Sequence, residues 1–353
     1  MRSISLAALI AVAACAETSA PRSAPPIDPV AASASLSAVR HALGVPAVRS
    51  FTLFAPGLGP TQSLIAATSP YTSSARRALR LRELAPVLSA GASTISLIPD
   101  TLRGAVFRWD SASSAYYRAA STGGPDDGVR YVLYAATDGG QIAYPLVEVG
   151  YADLRDESTE TSARLHIIVH DVAGAVTCVD YVIAVTPAPN GFTAAAHGAM
   201  SGALDFAVAV AATSSASAVT TAADAEINVL EADAQIELHE RSTFTSGSGA
   251  TSIDFTIRPP GQSVRFQGLF TVTPVTSDSA IVTINATIRG NEQVLATVQG
   301  SPPDQLSFTD RDGNLLPAGP VLDMLGQLMH AVDGVFQFIH GLFGPIGNVF
   351  GGI

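Results

Sequence analysis

The chain has 353 residues, 47% of them hydrophobic and only 14% charged, so it can bury a sizeable core and global disorder is excluded. Its formal net charge is −11, and all nineteen basic residues are arginine. An acidic surface repels phosphate backbones, which argues against nucleic acid as a partner.

In chain order, Arg2 followed by the apolar run Ile4 to Ala14 reads as a signal peptide over residues 1–14. The run is too short to span a bilayer, which takes about 20 residues. Its last residues and the next, Val12-Ala13-Ala14-Cys15, resemble the bacterial lipobox. That resemblance implies lipidation of Cys15 at the mature N-terminus. With no aspartate after it, Ala16 implies transfer to the outer membrane. Ordinary cleavage beside Ala14 or Ala16 is the alternative. Residues 15–30, rich in Pro, Ser and Ala, read as a flexible tether. With Cys15 lipidated, Cys178 has no disulfide partner, and stability must come from the core.

Residues 31–104 read as a helical and irregular segment. Leu36, Val39 and Leu43 have helical spacing, and Pro46, Pro56 and Pro60 interrupt any longer element. A second helix, SSARRALRLRELAP, concentrates Arg76, Arg77, Arg80 and Arg82, which read as a solvated face before a lipid contact.

From Ala105 to residue 318, short β-branched or aromatic runs alternate every second residue between turn signals such as DVAG, RPPGQ and RGNE. This predicts an antiparallel β domain, either a sandwich or a curved half-barrel sheet. One hairpin can be put in register. A three-residue turn at Val172-Ala173-Gly174 pairs Leu165 with Tyr181, Ile167 with Val179 and Val169 with Thr177, and sets His166 opposite Asp180.

Over residues 319–353, PVLDMLGQLMHAVDGVFQFIHGLF has helical period. Met324, Leu325, Leu328, Val332, Val335, Phe336, Ile339, Leu342 and Phe343 fill one half of the wheel, and Pro345 is expected to close the helix. Its polar residues argue against a membrane span. A polar face without Lys or Arg argues against a membrane-surface helix. The expectation is a C-terminal amphipathic helix packed on its own sheet.

The candidate sites are each weighed against plainer readings. His166 and His170 lie about 13 Å apart along one strand, too far for one ion. Glu237 and His239 share a strand face without a third ligand. His166 with Asp180 could orient an imidazole, but no nucleophile stands beside the pair, and a cross-strand polar contact suffices. Cys178 reads as a small part-buried apolar residue. TDRDGN at 309–314 lacks the glutamate of a calcium loop, since Val321 stands in its place, and reads as a turn. Asp153, Asp156, Glu157 and Glu160 read as a solvated acidic loop. Trp109, Tyr116 and Tyr117 could form a sugar platform but read as packing. No catalytic, cofactor or metal residues are therefore expected, and Cys15 is the one modification site.

The stretch VRYVLYAA…PLVEVGYADLRDES, within residues 100 to 185, is similar to uncharacterised exported bacterial β-rich lipoproteins. That similarity implies an exported β protein and carries no site. At the level of fold, a half-open barrel around a helix is also similar to periplasmic lipoprotein carriers. The expected function is a non-enzymatic envelope lipoprotein, anchored to the membrane by its lipid. It binds an apolar ligand or an envelope protein through its sheet and C-terminal helix. A cell-surface structural or adhesive β-sandwich is the alternative, and a hydrolase the third reading.

Overall fold

The computed structural model describes residues 25–43, 96–135, 137, 142–160, 162–245, 247–274, 280–301 and 305–351. Cys15, the signal peptide and the arginine-rich stretch 76–82 lie outside the described residues.

Helix α1 (Pro29–Leu43) comes first. Asp28 caps it, its carboxylate accepting from the amides of Val30 and Ala31, and proline occupies the first helical position. The strands β1 (Ala105–Asp110), β2 (Ala115–Thr122), β3 (Gly128–Tyr134), β4 (Glu148–Asp156) and β5 (Ala163–Asp171) follow. Next come β6 (Thr177–Ala188), β7 (Gly191–Met200), β8 (Leu204–Ser214), β9 (Ala218–Val229) and β10 (Ala234–Thr245). The series ends with β11 (Gly249–Arg258), β12 (Val264–Pro274), β13 (Ala280–Gly290), β14 (Gln293–Ser301) and β15 (Gln305–Thr309), before helix α2 (Pro320–Gly351).

All fifteen strands form one open sheet in the order β15 to β3, then β1, then β2. From β3 onward it is an antiparallel meander. The exception to the antiparallel expectation is β1, which pairs with β3 in parallel and with β2 antiparallel. The reason lies in GGPDDG, residues 123–128, which crosses the start of β1 from its outer to its inner side. The Gly104 amide faces the carbonyls of Pro125 and Gly128, while the Gly123 and Gly124 amides face the Gly104 carbonyl. A Cβ on Gly124 would lie 2.5 Å from the Ala105 carbonyl oxygen, so only glycine permits the crossing.

One sheet, not two, decides between the expected architectures. Fifteen strands spaced about 4.8 Å apart would spread some 70 Å if flat. Yet inward residues from β1 (Ala105) to β14 (Ala296, Val298) share a single apolar cluster with α1 and α2. Two helices of about 10 Å diameter cannot cover a flat sheet of that width. The sheet therefore curls around them as a half-barrel whose edges do not meet.

The C-terminal helix packs as its wheel predicts. Met324, Leu325, Leu328, Val335, Ile339 and Leu342 are buried, and so are Ala331 and Phe338. Phe338 meets Phe206 of β8 edge-on at 5.1 Å, and the Tyr181 hydroxyl of β6 donates to the Leu342 carbonyl at 3.1 Å. Helix α1 lies beside α2, its Leu43 side chain reaching Gly334. Pro345 falls inside the helix instead of closing it; a proline removes only one rung of the ladder, and the helix continues to Gly351.

Two further expectations are corrected. The tether does not extend to residue 30. Ile27 packs on the core, the Asp28 amide donates to Gln262, and Asn291 donates to the Pro25 carbonyl, so residues 25–30 are docked. The β5–β6 hairpin is shifted by two residues. Ile167 faces Tyr181 and Val169 faces Val179, while Asp180 faces Ile168 rather than His166. The loop is one residue longer than expected. The Asp171 amide donates to Val176, and the Asp171 carboxylate accepts from the amides of Ala175 and Val176. That extra residue alone would turn every apolar side chain outward. A bulge between Val169 and His170 of β5 and their partners adds a second and restores the faces. Leu165, Ile167 and Val169 are buried as expected.

Candidate functional site

Because α1 and α2 occupy the concave side, the charged side chains stand mostly on the convex face. The best-built constellation there lies on β1, β3, β4 and β5. Arg130 of β3 faces Asp153 of β4 across the sheet, and its Nε and Nη2 donate to the two carboxylate oxygens at 2.7 and 2.8 Å. Asp153 is 3% exposed, so the expectation of a solvated loop acid does not hold for it. A nearly buried carboxylate requires such a bidentate partner. The hydrogen bonds that Arg130 donates to Asp153 raise the Arg130 pKa above its ordinary value, against an opposing effect of burial.

The Arg130 guanidinium also covers the ring of Tyr151, 3.9 Å from its centroid, and His170 packs against Tyr151 at 4.9 Å. The Tyr151 hydroxyl abuts Gly174 so closely that a Cβ there would lie 2.8 Å away. Next to this stack, Arg108 pairs with Glu148, and a groove of about 340 Å³ runs between the two ion pairs and the end of β2. Its charges cancel pairwise, and the Tyr151 ring is packed against both Arg130 and His170. The arrangement locks strands together more than it offers a binding surface.

His166 sits in a second constellation. Its Nδ1 lies 2.9 Å from Glu157 and its Nε2 2.7 Å from Asp180, and Glu157 also pairs with Arg164 at 3.0 Å. The expected His166–Asp180 contact thus forms, but diagonally across the shifted register. Each ring nitrogen already has a carboxylate, and among the described residues no serine or cysteine joins the pair.

The remaining candidates disperse. His239 pairs with Asp224 at 2.7 Å and Glu237 with Arg258, so the two do not converge. His166 and His170 occupy separate clusters. Asp156 accepts from the Ser96 hydroxyl and the Ile98 amide, tying down the segment before β1. Among the described residues no group of three or more His, Cys, Asp or Glu could hold a metal ion. Asp310 accepts from the amides of Asp312 and Asn314, which makes TDRDGN a turn. Cys178 is half-buried beside the hairpin bulge, and burial pushes its thiol pKa up.

The aromatic platform is not flat. Trp109 meets Tyr116 edge-on at 5.4 Å, and Tyr116 meets Tyr131 edge-on at 5.2 Å. Tyr117 is on the other face of β2, opposite Arg108. The indole NH of Trp109 donates to the Tyr144 hydroxyl, which fixes the loop between β3 and β4.

Sequence reasoning missed the Arg130–Asp153 pair. The alternation of β3 and β4 puts both residues on one face, but only the pairing register places them opposite one another. No protein-family model, curated protein or solved structure matches this chain. Among the described residues no helix is long and apolar enough to cross a membrane, which says nothing of strands.

Proposed function

We propose that the chain is an exported, lipid-anchored, non-enzymatic envelope protein. It presents a clasped apolar helix and sheet to an apolar ligand or an envelope partner. The observation that carries this reading is the clasp itself. Ten apolar side chains among the described residues of α2 are buried in the concave face of an open sheet, so any displacement of α2 uncovers a continuous apolar trough. Val12 to Cys15 support the anchor, and among the described residues the polar side chains form dispersed ion pairs.

A structural or adhesive role is the second reading. It is favoured by the filling of the concave face by α1 and α2, which occupies the place where an enclosed apolar cavity would lie.

The test has two parts. Mass spectrometry of the purified wild-type chain should find an acyl-modified Cys15, and Cys15→Ser should move the protein from membranes to the soluble exported fraction. Native mass spectrometry of that soluble form should then detect co-purified lipid. An unmodified N-terminus overturns the anchor. A ligand-free protein that takes up no added fatty acid overturns the apolar-ligand reading in favour of the adhesive one.

A further inference from the structure

The meander sends alternate turns to opposite ends of the sheet. The turns after β5, β7, β9, β11 and β13 lie at one end, with the β3–β4 loop and the segment after β15. Exposed large apolar side chains gather there. Tyr144 and Val147 are 57% and 53% exposed in the β3–β4 loop, and Val172 and Val176 are 64% and 51% exposed after β5. Leu230 follows β9 at 51%, and Leu315 follows β15 at 74%. At the opposite end, Ile281 alone among the described residues is of this kind. Scattered exposed leucines need no explanation, but a rim of them at one end of a sheet does.

The N-terminal segment enters at this same end. Pro25 and Asp28 are bound to Asn291 and Gln262, in the turns after β13 and β11, and Val30 at the start of α1 is 65% exposed. Cys15 precedes Pro25 by ten residues, which span at most about 35 Å. A lipid on Cys15 would therefore hold the apolar rim, not the opposite end, close to the bilayer.

We propose that this rim rests on a lipid surface, its apolar loop tips entering the interface. The proposal takes its orientation from the lipid-anchored reading. The charges select the lipid. Asp171, Glu231, Asp233, Glu292, Asp310 and Asp312 stand among the apolar tips and outnumber Arg258, Arg289 and Arg311 at the same end, so an anionic surface repels the rim and a zwitterionic one accepts it. The chain carries its own reporter, because Trp109, its one tryptophan, is bound to Tyr144 of the rim loop.

The exported full chain bearing Cys15→Ser, which lacks any acyl group, should be mixed with phosphatidylcholine–phosphatidylethanolamine vesicles carrying brominated acyl chains. Trp109 emission should be quenched, and vesicles rich in phosphatidylglycerol should quench less. The triple variant Val147→Asp, Val172→Asp, Leu230→Asp should lower partitioning by about tenfold or more. Ile281→Asp, at the far end, should leave it unchanged. Circular dichroism melts establish that each variant is folded. Absence of quenching in the unsubstituted chain overturns the proposal. So does equal quenching in the triple variant, or self-association through the rim in place of vesicle binding. The acyl mass on Cys15 is measured separately, so failure of the rim and failure of the anchor are distinguishable.

Discussion

On β10, Ile236 and Leu238 are fully buried against the core, whereas Glu237 and His239, alternating with them, face outward and pair with Arg258 and Asp224. The same contrast runs across the sheet. The concave face is held by apolar contact with two helices, and the convex face by ion pairs that step from strand to strand. Apolar burial is non-directional and scales with area, so losing part of it leaves a cavity. Exposed ion pairs are directional and screened, and each contributes little. The concave face should therefore dominate stability, with the convex face fixing the alignment of strands.

The largest test of that contrast removes the helix. Ending the chain after Pro320 should expose the trough and cause aggregation or loss of a cooperative melt, read by calorimetry and light scattering. A monomer with an unchanged melting temperature would show that α2 contributes nothing to the fold.

A finer test uses neighbouring residues of one strand. Ile167→Ala on the concave side should cost roughly 2–5 kcal/mol in urea unfolding. His166→Ala on the convex side should cost less than about 1 kcal/mol. Equal losses would erase the distinction between the faces.

Arg130→Ala probes a convex pair that is nearly dry on its acidic side. Asp153 would lose both of its donors while staying shielded, and the cost should be about 2 kcal/mol, lowered from a fully buried pair by the part-exposed guanidinium. Replacing both residues with Ala should recover part of the loss in a double-mutant cycle. No recovery would mean the two act independently.

The smallest effect is acidic. Hydrogen bonds from Arg265 hold the Asp254 carboxyl below its ordinary range, against a smaller opposing effect of burial. Its contribution to stability is therefore present above the ordinary carboxylate value and is lost as pH falls through the lowered one. Asp254→Asn should flatten the acid limb of a stability–pH curve by less than about 1 kcal/mol. An acid limb as steep as the wild type's would remove Asp254 from the account.

Most strands are legible in the sequence as alternating runs, but β7 is not. In β7, GFTAAAHGAM, alanine serves on both faces, and small residues give little contrast between inside and outside. Its pairing with β6 and β8 makes it a strand. The hairpin of β5 and β6 shows the same limit: side-chain alternation reveals which face is apolar but leaves even-numbered shifts of register undetermined.

The sequence by itself determined the β-rich class, the start of the sheet at Ala105 and the amphipathic face of α2, because each rests on local periodicity. Tertiary structure decided that the strands make one curled sheet, that Pro25 to Val30 dock instead of trailing, and that β1 takes a parallel neighbour. It also decided that Asp153 meets Arg130 and that apolar loop tips from turns far apart in the chain share one rim. These depend on contacts between distant segments, where the order of strands and the pairing register bring together residues that no short window of sequence contains.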